Sequence, residues 1–92
     1  MRGEEVVRFG EGPLGFIIEW DKRGRVMVKG FTCDSQTGSI GQAETSGRVR
    51  IGDEVIAVNG TSVLSCWDFA YDVMAYRPVD ITFVREEREE NE

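Results

Sequence analysis

The chain has 92 residues, with 11 Lys and Arg against 17 Asp and Glu, no histidine, and a formal net charge of −6. A chain of this length suits one domain with a small core, and an apolar fraction of 40% beside 30% charged residues suits a folded, soluble chain rather than a disordered one. The acidic balance argues against nucleic acid as a partner, and without histidine neither a Ser-His or Cys-His nucleophile pair nor a Cys2His2 zinc site can be assembled.

Two cysteines, Cys33 and Cys66, are too few for a disulfide framework and read as free thiols of a cytoplasmic protein. Arg2, Glu4 and Glu5 stand where the apolar run of a signal peptide would begin. No apolar run exceeds four residues, far short of a bilayer span.

In chain order, residues 4–9 form a first β-type run. Gly10-Glu11-Gly12-Pro13 follows as a turn, because Gly and Pro interrupt both helix and strand. Leu14–Trp20 is rich in β-branched and aromatic residues, as a second strand is. Asp21-Lys22-Arg23-Gly24 is a polar turn. In Arg25–Phe31, Val26 and Val28 alternate with Met27 and Lys29, the pattern of a half-buried strand. Residues 33–47 are polar and too long for a structureless loop in so small a domain. Ser39 with Gln42 three residues on predicts a capping box. Ile40 and Ala43 then share a helix face, and Gly47 stops the helix.

Val49 and Ile51 alternate before a Gly52-Asp53 turn. The strand Glu54–Val58 then reaches Asn59-Gly60, a strong hairpin dipeptide, and Thr61–Val63 is a brief strand. Ser65 is a good N-cap, with Asp68 placed in the first turn of a helix that runs to Tyr76. Pro78 closes it off. Val79–Arg85 alternates again as a last strand, and residues 86–92 are a charged tail. The tail alone carries a net −4, so residues 1–85 hold a net of only −2. The elements predict a mostly β (α+β) domain over residues 1–85: a small antiparallel, partly closed barrel of five or six strands capped by two helices.

Several motifs compete with plainer readings. Residues 10–15 match G-x-G-x-x-G, but Phe16-Ile17-Ile18 leads into a strand rather than the helix that a dinucleotide site needs. Asn59-Gly60-Thr61 matches a glycosylation pattern and reads better as a tight turn. The carboxylates lie at strand ends, on a helix face and in the tail, and no Ser or Cys has a base beside it; the chain reads as a non-enzyme, with neither metal nor cofactor implied. Pro13-Leu14-Gly15-Phe16 is either an ordinary turn into a strand or a nest of backbone N–H groups that would attract a carboxylate, with Leu14 and Phe16 as apolar walls.

Taken together, these features resemble a PDZ domain. Pro13-Leu14-Gly15-Phe16 is similar to that family's Gly-Leu-Gly-Phe carboxylate-binding loop, with proline in the first place. Val49-Arg50-Ile51-Gly52-Asp53-Glu54-Val55-Ile56-Ala57-Val58-Asn59-Gly60 is similar to its L-x-x-G-D-x-I-L-x-V-N-G stretch. Ser39–Gly47, Ser65–Tyr76 and Val79–Val84 fall where its two helices and final strand belong. The resemblance implies a monomeric scaffold module that binds the C-terminal peptides of other proteins, membrane-protein tails among them, by adding them as a strand beside Phe16, Ile17, Ile18, Glu19 and Trp20. The amides of Leu14, Gly15 and Phe16 would hold the terminal carboxylate, with Arg8 assisting through water. Leu14, Phe16, Ile18 and Met74 would receive the last ligand side chain.

Many PDZ domains open the second helix with a histidine that hydrogen-bonds Ser or Thr two residues before the ligand terminus. This chain has none. If Trp67 starts the groove face, Ala70 meets the core and Tyr71 and Met74 line the groove, while Asp68 and Asp72 stay in water. Starting at Cys66 would push Asp72 toward the core, and starting at Asp68 would put Asp72 in the groove. Because a buried unpaired carboxylate is costly, the Trp67 register is expected. It predicts a preference for a hydrophobic residue at the antepenultimate position, unless Trp67 simply covers the groove. Two rival functions remain: the substrate-recognition part of a larger protease or other enzyme, and lipid-headgroup binding through Lys22-Arg23-Gly24-Arg25.

Overall fold

A computed structural model describes residues 2–33, 35–75 and 77–86, apart from the side chains of Arg2, Met74 and Glu86. The elements are β1 (Arg2–Phe9), β2 (Phe16–Trp20), β3 (Val26–Phe31), α1 (Gln42–Ser46), β4 (Glu54–Val58), β5 (Thr61–Ser62), α2 (Cys66–Ala75) and β6 (Val79–Glu86). They make one antiparallel sheet in the order β1-β6-β4-β3-β2, with β5 paired to β4 outside that path. The partly closed barrel expected from the sequence is corrected here: β1 and β2 end the sheet without pairing, so it stays open. Helix α2 packs against β2 and β4, and α1 against β1. The last strand runs through Glu86, one residue into the expected tail, and residues 87–92 lie outside the described residues.

Alternation builds the core. Val7 and Phe9 point inward from β1 while Val6 and Arg8 face out; Val26 and Val28 do the same in β3; Ile81 and Phe83 do so in β6. The β2–β3 register shifts between Ile17 and Ile18, pairing Phe16 with Phe31 and Ile18 with Val28. Without that bulge Ile18 would face Lys29; with it Val28 returns to the inner face, and a bulge that re-aims side chains in this way is a designed feature of a strand pair.

Local signals account for most of the element ends. Asn59 (φ 51°) and Gly60 (φ 82°) both occupy the left-handed region, as a two-residue hairpin turn requires. Asn59 does more than turn: its N–H donates to the Asp80 carbonyl at 2.7 Å, and its side-chain oxygen accepts the Asp80 N–H at 3.0 Å. Gly47 closes α1 at φ 70° and donates to the Glu44 carbonyl. Ser65 caps α2 by accepting the Asp68 N–H at 3.1 Å, and the Asp68 carboxylate takes the Leu64 N–H at 3.3 Å, a reciprocal arrangement like a capping box.

Two expectations fail. α1 begins at Gln42 after an N-cap at Gly41 with no side-chain cap. Ser39 instead bonds Thr37, and Ile40 is exposed while Ala43 is fully buried. Val49 and Ile51 do not share a strand face either: Val49 is buried and Ile51 exposed. The cause is Asp53, 2% exposed, whose carboxylate accepts the Arg50 N–H at 2.9 Å while its own N–H donates to the Arg50 carbonyl at 3.0 Å. This closes a turn with Ile51 at its tip, and Arg85 covers the buried carboxylate at 3.3 Å.

Candidate functional site

The most informative backbone lies between β1 and β2. The Pro13 carbonyl accepts from the Gln42 side-chain amide at 2.9 Å. The Leu14 carbonyl accepts the Ala43 N–H at 2.9 Å, and the Gly15 carbonyl accepts the Thr32 N–H at 2.9 Å. The peptide bonds here are trans, and in a trans peptide the N–H points opposite to the carbonyl it is joined to. The N–H groups of Leu14, Gly15 and Phe16 therefore point away from Gln42, from α1 and from β3 respectively. In the ladder itself, directly opposite residues alternate between bonded and non-bonded pairs. The Gly15–Thr32 bond thus makes Phe16–Phe31 a non-bonded pair and leaves both Phe16 backbone groups on the open edge. Three consecutive donors at the head of this edge strand are thus turned away from the elements that hold the preceding carbonyls.

Steric contact holds this arrangement. Gly15 has φ 91°, and a Cβ there would lie 2.8 Å from the Cα of Gly41; a Cβ on Gly41 would lie 2.6 Å from the Cα of Gly15. Only glycine on both sides allows the loop and the start of α1 to touch. Phe16 then anchors the start of β2. Its ring centroid lies 5.8 Å from Phe9, 5.6 Å from Phe83 and 5.8 Å from Phe69, so one side chain ties the loop to β1, β6 and α2 in tilted and edge-on aromatic contacts. Leu14 and Ile18 are half-buried and pack on the core beside it, whereas Ile17, Glu19 and Trp20 are exposed.

Among the described side chains of α2 the buried ones are Phe69 (5%) and Val73 (7%). The deep contact that the expected register gave to Ala70 is made by Phe69, one position earlier, and Ala70 is half-buried. Cys66 is half-buried too and packs on the same core margin as Leu14 and Ile18. Burial raises its thiol pKa above the ordinary value, so it stays a neutral, apolar group. Trp67 and Tyr71 project from the outer flank, 81% and 75% exposed, and Leu64, two residues before the helix, is 78% exposed. Asp68 is exposed and Asp72 half-buried. The Met74 side chain lies outside the described residues.

The cation expected beside the loop is a different one. The Arg8 guanidinium is bonded to the Asp80 carboxylate across the β1–β6 pair, Nε–Oδ1 2.8 Å and Nη2–Oδ2 3.2 Å. That partnership holds the Asp80 carboxyl below its ordinary pKa, chiefly through the Arg8 hydrogen bonds. It is Arg77, just past α2, that reaches the loop: its Nη1 donates to the carbonyls of Gly10, at 2.7 Å, and Gly12. No sequence pattern pointed to Arg77, because it lies 65 residues from Gly12 along the chain.

Cys33 and Cys66 are both free thiols. Among the described residues no cluster of acidic or cysteine side chains could hold a metal ion, and no helix is long and apolar enough to cross a membrane. No protein-family model and no curated protein matches the chain.

Proposed function

We propose that the chain is a PDZ-type interaction module that binds the free C-terminus of partner proteins. The observation that carries the reading is the set of three consecutive N–H groups, Leu14 to Phe16, turned toward the open side at the head of an edge strand. A ligand carboxylate would accept from these donors. The residues before it would add as an antiparallel strand along β2, between β2 and α2, so that main-chain hydrogen bonds supply affinity and side-chain pockets supply selectivity. Leu14, Phe16 and Ile18 offer an apolar recess for the terminal side chain.

Two residues before the terminus, the ligand would meet the small apolar face of Cys66 and Ala70, with Trp67 and Tyr71 as an outer lip. That composition favours a hydrophobic residue at this position and offers no hydrogen-bond partner of the histidine type. Because Cys66 is half-buried and Trp67 exposed, this reading opens the groove face at Cys66 rather than at Trp67. The expected affinity is about micromolar, since a short peptide pays ordering entropy on binding.

A library of peptides with free C-termini ending in Val, Leu, Ile or Phe is expected to bind, and the same peptides amidated are expected to lose binding. Equal affinity of the two forms would reject the carboxylate loop.

A further inference from the structure

Gln42 was expected to serve helix capping. Its side chain instead lies against the β1–β2 loop. Its Oε1 accepts the Gly10 N–H at 2.8 Å, and its Nε2 lies within donating distance of four carbonyls: Gly10 at 3.4 Å, Glu11 at 3.1 Å, Gly12 at 3.4 Å and Pro13 at 2.9 Å. From the other side Arg77 donates Nε to the Val73 carbonyl at 3.1 Å, near the C-terminal end of α2, while its Nη1 bonds Gly10 and Gly12. The carbonyl face of the loop is thus covered by one amide from α1 and one guanidinium anchored on α2.

We propose that Gln42 and Arg77 are positioning residues that hold the carboxylate loop in its binding shape before any ligand arrives. The inference rests on the carboxylate-loop reading of residues 14–16. A carbonyl fixed toward the clamp fixes the next N–H away from it. Gln42 sets the Leu14 N–H directly through Pro13, while Arg77 holds the preceding residues and couples the loop to the groove-forming helix. Neither side chain has to touch the ligand. Their effect is preorganisation, which raises affinity by reducing what must be ordered on binding.

The substitution Gln42→Glu tests this at constant size. It replaces the amide donor with an oxygen facing four carbonyls, and a carboxylate at the first position of α1 suits the helix dipole, so folding is retained. Arg77→Lys keeps the charge but cannot bridge Val73 and the loop at once. Two readouts are taken on the intact chain: 15N relaxation of residues 10–16 without ligand, and the ratio of affinities for one Val-terminated peptide in its free and amidated forms. For each variant the loop is expected to gain backbone motion while the sheet does not, and the free-to-amidated ratio is expected to fall about tenfold for Gln42→Glu, less for Arg77→Lys. Unchanged loop relaxation in both variants overturns the proposal. So does an unchanged ratio in a parent that discriminates. If the parent itself does not discriminate, the peptide reading fails, and the relaxation data alone decide whether the clamp holds the loop.

Discussion

In the β1–β2 loop every carbonyl from Gly10 to Gly15 has a donor, whereas Leu64, just before α2, and Trp67 and Tyr71 on its outer flank are each at least 75% exposed. In the proposed groove the loop would hold the ligand's end and this flank would form the outer lip. One is built of backbone held by polar bonds and glycine contacts, the other of side chains that the fold does not use. A terminal carboxylate is common to all C-terminal ligands, so a rigid backbone donor set serves its recognition. Discrimination among ligands calls for side chains that can change without cost to the fold, and under the proposed function α2's outer flank would supply them.

The largest expected effects lie within α2 itself. Phe69→Ala removes an aromatic side chain that packs on Phe16 and is expected to cost about 3–5 kcal/mol of stability. Trp67→Ala, two positions earlier, is expected to leave stability within about 0.5 kcal/mol while weakening peptide binding several-fold. Denaturant unfolding and peptide titration of the two variants measure this directly. A large stability loss from Trp67→Ala would place that ring in the fold rather than in the groove wall.

The loop offers a similar contrast between neighbours. Gly15→Ala pushes a Cβ into the Gly41 backbone and is expected to cost about 2–4 kcal/mol. Gly12→Ala has a comparable positive φ of 97°, but meets only the Gln42 side chain at 4.0 Å, so it should cost about 1–2 kcal/mol. Equal costs would mean that φ alone, and not the contact with α1, makes Gly15 necessary.

A middle-sized effect concerns selectivity rather than stability. Cys66→His is expected to move the antepenultimate preference toward Ser or Thr, and Trp67→His is expected to do so more weakly, because residue 66 packs on the core margin and residue 67 projects outward. A library screen of both variants sharpens which residue opens the groove face; the reverse order would restore the Trp67 register.

Local chemistry explains what was legible in the sequence. Gly47, Asn59-Gly60 and Ser65 act through their own backbone or the next turn, so reading them needs no tertiary knowledge. The alternation of Val26 with Val28 and of Ile81 with Phe83 likewise declared its buried face. Three parts of the site were hidden because they depend on contacts between distant segments. Ser39 and Gln42 have capping-box spacing, but the loop carbonyls compete for the Gln42 amide, and those of Glu11 and Pro13 accept from it while Arg77 serves Gly10 and Gly12, so it is drawn away from the helix. Arg8 stands near the loop in sequence, yet β1–β6 pairing sets it opposite Asp80. Avoiding buried carboxylates does not by itself distinguish Phe69 from its neighbour Ala70 as the residue that meets the core. The buried apolar volume does, and Phe16 supplies its partner only once β2 is in place.

The smallest expected effect is a near absence of pH dependence at the groove. With no histidine in the chain, no side chain carries an ordinary pKa between about 5 and 8, and burial moves the Cys66 thiol upward, away from that window. Peptide affinity should therefore stay flat from pH 7.5 to about 5 and fall only as the ligand carboxylate protonates near its ordinary value of about 3.5. The fold loses support in the same acid range. Asp80 is lowered by Arg8; at Asp21 burial pulls the pKa upward, but bonds from the Arg25 backbone and guanidinium and the Arg23 N–H outweigh it. A carboxyl with a depressed folded pKa contributes stability above its unfolded value of about 3.9, and that stability is lost as pH falls through the folded value. Both side chains stay partly open to solvent, 20% exposed at Asp21 and 36% at Asp80, so salt screens the contribution and keeps it small. Asp80→Asn should accordingly lower the unfolding midpoint slightly at pH 7, with the difference from the parent shrinking as pH falls through the lowered folded pKa of Asp80, while peptide affinity at pH 7 is unchanged. A step in peptide affinity near pH 6.5 would break the contrast, since it would require a titrating group in the groove that neither the clamped loop nor the α2 flank provides.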